Sequence, residues 1–361
     1  MSEVTINGEK YASIEDYIES TKPLPEIKAG ERARETSKYQ TAVIPKGFTV
    51  SNATGEKDVS TGLVIYDIPE DKLENVKWDG TEKTKYNQFV WIPVEVNKTT
   101  EPKDTETSIA SFYRSKWSNN ARTTELSSDY TEPYSYPYGK TNDYDESTGI
   151  KSQIENLTKS IYKYGGFYIG RYEAGVKPNA DGISTPRTSS SDSQTADCVI
   201  QQDKSPYIYV KWGKSMSDIS EGAVYLSNRL YNTNEYGATS MLCTGACWDS
   251  MLDFIKDEEH NVTNSTSWGN YMNSETYKIY RGKYAEYSNG TLGDFQNVNN
   301  GYSKAKEKFV LLTTGATERN SAKNIYDVAG NCCEWTTESN SSVNRVYRGR
   351  QLRRRWFCLS S

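Results

Sequence analysis

The residues best placed to do chemistry lie in one short block, Asn324-Ile325-Tyr326-Asp327-Val328-Ala329-Gly330-Asn331-Cys332-Cys333-Glu334-Trp335-Thr336. Asp327 and Glu334 offer carboxylates, and a turn through Gly330 can aim the backbone carbonyls of Gly330 and Cys332 at the same point. Hard oxygen ligands so closely spaced suit a calcium ion. The competing reading is a metal-free turn, in which Asp327 caps backbone N–H groups and Glu334 pairs with an arginine. Trp335 is expected to be core. Cys332 and Cys333 are adjacent in an extended segment, so their side chains point to opposite faces and are expected to pack. Cys243 and Cys247 have the helical i, i+4 spacing, with Gly245 between them. None of the six cysteines forms a Cys-x-x-Cys pair, and reduced thiols are expected. His260 is the single histidine, which excludes histidine-clustered metal sites and two-histidine chemistry and leaves little room for a Ser-His-Asp triad.

The frame that must position these groups is polar. Of 361 residues, 35% are hydrophobic, and the chain contains 28 tyrosines. No run of eighteen apolar residues occurs, so no membrane span is expected. The first twenty residues lack a basic and then an apolar stretch, so no secretory signal is expected. The chain is then expected to stay in the cytoplasm or to leave by assembly into a particle such as a phage. With 43 basic and 48 acidic residues the net charge is −5. The last seventeen residues hold six arginines and no acid, leaving 37 basic against 48 acidic and −11 over residues 1–344. An acidic body argues against nucleic acid as a general partner.

Residues 1–40 read as a polar leader with a short helix over Ile14–Ser20, capped by Ser13 and ended at Pro23 and Pro25. Residues 41–87 read as a small β-rich segment, and Gln88–Val94 is the strongest strand of the first third. Residues 97–160, rich in Thr, Ser, Asn, Asp and Tyr, read as a surface insertion without core. Helical periodicity appears over Met216–Tyr231 and Thr244–Ile255. Residues 261–300 read as loop, and Phe309–Leu312 as a short buried strand.

The 324–336 block resembles the "N-V-Y-D-M-x-G-N-x-W-E-W-T" signature of the formylglycine-generating, or sulfatase-modifying, family. Further blocks follow that family's order: Phe89–Pro93, Phe167–Glu173 ("F-x-I-x-x-Y-E-V"), Pro206–Trp212, Thr244–Asp249 and Arg345–Gly349 ("R-V-x-R-G-G"). Together they span residues 88–349, and 88–361 is expected to form the family domain. The resemblance implies an α+β, C-type-lectin-like fold with short antiparallel strands, two helices and long polar loops. It also implies a structural calcium through Asp327, Gly330, Cys332 and Glu334.

Enzymes of this family use two cysteines about five residues apart, shortly after the "R-G-G-S" strand, with copper and oxygen. Here Cys358 alone falls in that region, a weak catalytic candidate. Soft thiolates select Cu(I), and a linear site needs two. The related iron-dependent sulfoxide synthases need a histidine cluster. The same scaffold serves as the variable protein of diversity-generating retroelements, whose mutable surface follows these blocks. The expectation is therefore a binding protein, with Arg348, Arg350 and Trp356 on its surface and an unidentified protein or glycan as ligand. The alternative is a copper-dependent oxidase that converts a substrate cysteine to formylglycine. After Gly349 the family pattern stops. The arginine-rich ending reads as a frame change near codon 350, a truncation, or a basic partner-binding arm.

Overall fold

The computed structural model describes residues 4–6, 9–11, 42–68, 74, 84–95, 112–126, 149–215, 217–231, 236–288, 291–339 and 344–349. The expected Ile14–Ser20 helix lies outside them, as do Arg350, Trp356 and Cys358. Within the leader, Val4–Ile6 and Glu9–Tyr11 form an antiparallel pair.

The strands Thr49–Val50, Val64–Tyr66, Gln88–Pro93 and Gly166–Gly170 form one antiparallel sheet in that order. Val64 pairs with Val90, and Ile92 with Phe167. The 41–87 segment thus shares a sheet with the first family-like strand. Both faces of the sheet are covered. Val64, Tyr66, Val90 and Ile92 face the main core. Ile65 and Trp91 face a second cluster with Ala42, Ile44, Val59 and Leu63. Double coverage explains why Phe-Val-Trp-Ile reads as a continuous apolar run rather than an alternating one. Gly166 lets the Trp91 ring cross the neighbouring strand, because a Cβ there would run into the indole and the Ile92 carbonyl.

The described residues contain three α-helices rather than the two expected: α1 (Ile150–Tyr164), α2 (Gly222–Leu230) and α3 (Gly245–Ile255). Helix α3 begins where expected, with the Thr244 hydroxyl accepting the Cys247 N–H at 3.0 Å. Helix α1 corrects the reading of residues 97–160 as a coreless excursion. Ile150, Ile154 and Ile161 are buried, as is Phe112 in the same stretch. With Leu157, these isoleucines follow the i, i+4, i+7, i+11 stripe of a helix. Its narrow apolar face was hidden by the polar composition of the surrounding segment. The stripe ties two clusters together: Ile150 and Ile154 meet Trp212, Val224 and Trp335, while Ile161 joins the main core.

Residues 261–300 are likewise not all loop. Tyr277–Ile279 pairs with Tyr302–Lys304, and Lys283–Ser288 pairs with the buried Val310–Leu312 strand. Tyr277, Ile279, Val310, Leu312 and Ala316 form a small core of their own. The Tyr284 and Tyr302 rings stack 3.7 Å apart at its margin, and the Tyr302 hydroxyl donates to Glu286 at 2.6 Å. The partners are distant in sequence, so local patterning carries little of this signal. The architecture is therefore mixed α+β, with several short antiparallel sheets. Among the described residues no helix is long and apolar enough to cross a membrane.

Asp67 fastens α2 to the sheet. Its carboxylate accepts the Tyr231 hydroxyl and the Asn87 side-chain amide, each at 2.8 Å. Burial pushes its pKa up to about 6, against the pull of these hydrogen bonds. A raised folded-state pKa adds stability that is full below about pH 4 and fades as pH rises through about 6. Asp67→Asn should remove this dependence. Between pH 4 and pH 7, wild type should lose about 2 kcal/mol of unfolding free energy relative to the variant. Parallel stability curves from urea unfolding would contradict the assignment.

Candidate functional site

The 324–336 block is a turn built from unusual backbone. Lys323, Asn324, Asp327 and Asn331 adopt positive φ of 45°, 65°, 63° and 63°, and Gly330 lies at 84°. Asn and Asp tolerate this left-handed region better than other side-chain-bearing residues. A Cβ at Gly330 would collide with the Asn270 carbonyl. That close approach seats the turn on Asn270, which accepts the Asn331 N–H at 3.0 Å and donates its own to Ala329 at 2.8 Å.

Asn331 is the hub. Its Oδ1 accepts the Leu312 N–H at 2.9 Å and an Asn270 Nδ2 proton at 3.1 Å. Its Nδ2 donates to Glu173 Oε2 at 2.7 Å. Glu173 Oε1 in turn accepts the Cys332 N–H at 2.9 Å. Burial drives the Glu173 carboxyl far above the ordinary range, and the nearby charge of Asp327 pushes it further, against hydrogen bonds from Asn331, Cys332 and Glu334. Asp327 is fully buried. Its Oδ2 accepts the Gly315 N–H at 2.7 Å, while Oδ1 has no partner. Burial raises its pKa to about 7, against the Gly315 N–H and the Arg281 charge.

Of the expected set, Asp327 acts on Glu173 through its charge and Glu334 through a hydrogen bond. Sequence reading missed Glu173 as a site residue, although it closes the "F-x-I-x-x-Y-E" strand; an acid ending an apolar strand was its signal. Among the described residues no three His, Cys, Asp or Glu side chains gather tightly enough to hold a metal ion. A calcium ion would therefore need amide and carbonyl oxygens beside the carboxylates. The unpaired Asp327 oxygen and the crowding of buried carboxyl groups fit such an ion, which would relieve both.

The predicted surface residue Arg348 has a different place. Its Nε donates to Glu338 Oε2 at 2.7 Å, and its Nη2 bonds Glu338 Oε1. Its side chain is 17% exposed, so the guanidinium is committed to the interior rather than offered outward. Glu338, fully buried, also accepts Arg114 Nε at 2.6 Å. Burial alone would raise its pKa, but Arg348 and then Arg114 hold it below the ordinary value. Arg114 continues to Asp249 of α3, which also accepts the Ser115 N–H at 2.8 Å. Gly245 makes room, since a Cβ there would strike Glu338 and Arg114.

Cys198 and Cys247 are buried, and Cys243, Cys332 and Cys333 are half-buried. His260 Nδ1 lies 2.8 Å from Asp257, and its ring meets Trp268 edge-on. Trp335 is buried as expected, with its indole N–H donated to the Val210 carbonyl at 2.9 Å.

Glu338→Ala would leave two guanidiniums facing a buried gap. Removing one partner of a buried ion network costs about 3–5 kcal/mol. Urea unfolding should show a loss of that size, and a loss below about 1 kcal/mol would show that the hairpin is held by other means.

Comparison of the chain with family models, with curated proteins and with solved structures finds no match in any of the three.

Proposed function

We propose that the chain is a ligand-binding protein on a C-type-lectin-like scaffold of the formylglycine-generating-enzyme family. Its ligand is a protein or a glycan, and its closest functional counterpart is the variable protein of a diversity-generating retroelement. A calcium ion held through Asp327 and Glu334, with the Gly330 and Cys332 carbonyls, braces the scaffold. The order of the family-like blocks supports the fold. They fall on the central strands, on α3, and on the hairpin Glu334–Ser339 with Arg345–Arg348.

The observation that carries the binding reading is the outer side of that hairpin. The Arg345 guanidinium stacks 3.9 Å over the Trp212 ring. Tyr347 meets Trp335 edge-to-face at 5.7 Å and is 39% exposed. Both indoles are pinned by N–H donation to backbone carbonyls, Trp212 to Thr336 and Trp335 to Val210, each at 2.9 Å. The buried indoles in turn hold the Tyr347 ring and the Arg345 guanidinium, planar groups that then lose little rotamer freedom on binding. The surface lies directly before the region where the family's enzymes keep their cysteine pair and its variable proteins keep their mutable residues.

Two measurements test this reading. Incubated with copper, oxygen and a peptide containing Cys-x-Pro-x-Arg, the full chain should leave the peptide thiol intact; turnover would replace binding with oxidase chemistry. The DNA beside the coding sequence should carry a reverse transcriptase and a near-copy of the 3′ coding end differing at adenines. Absence of both removes the retroelement assignment.

A further inference from the structure

Tyr209 stands apart by its backbone. Its φ of 56° lies in the left-handed region, where the other described residues with side chains are Asn or Asp, apart from Glu307 and Lys323. For a ring-bearing residue this is an outlier, and glycine or asparagine would hold the same backbone at less cost. Two buried side chains impose the conformation. Arg187 donates through Nη2 to the Tyr209 carbonyl at 3.3 Å and through Nε to the Ile208 carbonyl at 2.9 Å. Gln194 Nε2 donates to the same Tyr209 carbonyl at 3.3 Å, and its Oε1 accepts the Lys211 N–H at 2.9 Å. Strained backbone held this firmly by its surroundings clusters at sites that meet a ligand.

The clamped segment runs along the proposed recognition surface. Val210, the next residue, accepts on its carbonyl the N–H of the Trp335 indole that Tyr347 meets. Two residues further, Trp212 carries the Arg345 guanidinium. Tyr209 itself is half-buried. Burial raises the pKa of its hydroxyl, and the neighbouring Tyr287 of the Lys283–Ser288 strand raises it further. Tyr209 thus stands where the chain leaves the hairpin surface and meets the 277–312 core.

The surface also narrows the ligand. Among the described residues, the large apolar side chains left exposed are Ile183, Tyr280 and Tyr347. These supply no apolar centre of the size that a stable protein interface buries. Tyrosine rings set among hydroxyl, amide and guanidinium groups suit a sugar instead, whose C–H face packs on a ring while its hydroxyls take hydrogen bonds.

We infer that Tyr209 is a ligand-contacting residue of the hairpin surface and that the ligand is a glycan. This rests on the binding reading above and narrows it.

The test applies the full chain to an immobilised panel of oligosaccharides, neutral, sialylated and sulfated, and follows thermal unfolding in parallel. Wild type should bind at least one member of the panel. Tyr209→Gly suits the left-handed backbone and removes the ring; Tyr209→Ala removes the ring and keeps the strain. The glycine variant should melt above the alanine variant and within about 2 °C of wild type. It should nevertheless bind the same oligosaccharide about tenfold more weakly or worse, while Tyr209→Phe keeps most of the affinity. A glycine variant that melts far below wild type would make the ring a packing residue and overturn the inference. Undiminished binding by Tyr209→Gly, with binding lost in Tyr347→Ala, would also overturn it and leave the hairpin surface standing. A wild type that binds no member of the panel would overturn the glycan assignment and the role of Tyr209 with it.

Discussion

The guanidinium of Arg171, almost wholly buried, is the point at which three separate stretches of chain are made to agree. It ion-pairs with Glu56 at 2.7 Å, donates to the Tyr66 hydroxyl at 3.1 Å and to Gln88 at 3.0 Å, and reaches Asn324 at 3.4 Å. The rings of Tyr172 and Tyr326 flank it, each 5.6 Å from its centre. A buried cation without partners is far too costly to keep, so the loop at Glu56, the strand start at Gln88 and the turn at Asn324 must all be in place together. Asn324 repeats the demand from the other side, its amide donating to the Gly55 and Gly62 carbonyls at 2.8 Å each. The residues between 42 and 68 are thereby part of the same packed unit as the signature turn.

Two residues along from Arg171, on the same short stretch, Glu173 faces the turn that Arg171 helps to hold. The segment Arg171-Tyr172-Glu173, just past the strand Gly166–Gly170, thus carries a cation toward one polar cluster and an acid toward another. The Arg114–Asp249–Glu338–Arg348 network does for the last hairpin what Arg171 does for the first loop, joining it to α3 through buried charge. Both networks spend arginines in the interior. Arg348, 17% exposed and bonded to Glu338, is one of these interior arginines.

What could be read in advance was what is encoded locally. The Thr244 cap with its apolar face announces α3, and the unbroken apolar run from Phe89 to Ile92 announces a strand covered on both sides. The Gly330-Asn331 pair marks a turn that only a few residue types can make. What escaped depends on partners far along the chain. Helix α1 carries four aliphatic residues in fifteen positions, and composition averaged over a polar segment erases so thin a stripe. The Tyr277–Lys304 strands are defined by pairing with each other and with Val310–Leu312, not by their own propensities. Glu173 looked like a strand terminus until the fold set it against Asn331.

The small lobe around Tyr277, Ile279, Val310 and Leu312 closes over its own core, with the Tyr284–Tyr302 stack as its margin. It is joined to the main body by Asn270, whose side chain reaches both Val310 and Asn331. Its exposed turns carry no part of the larger core. Lengthening one of them costs little more than loop-closure entropy, which grows only with the logarithm of length. In evolutionary terms the lobe is a region where the chain can change in size while the signature turn a few ångströms away keeps its shape.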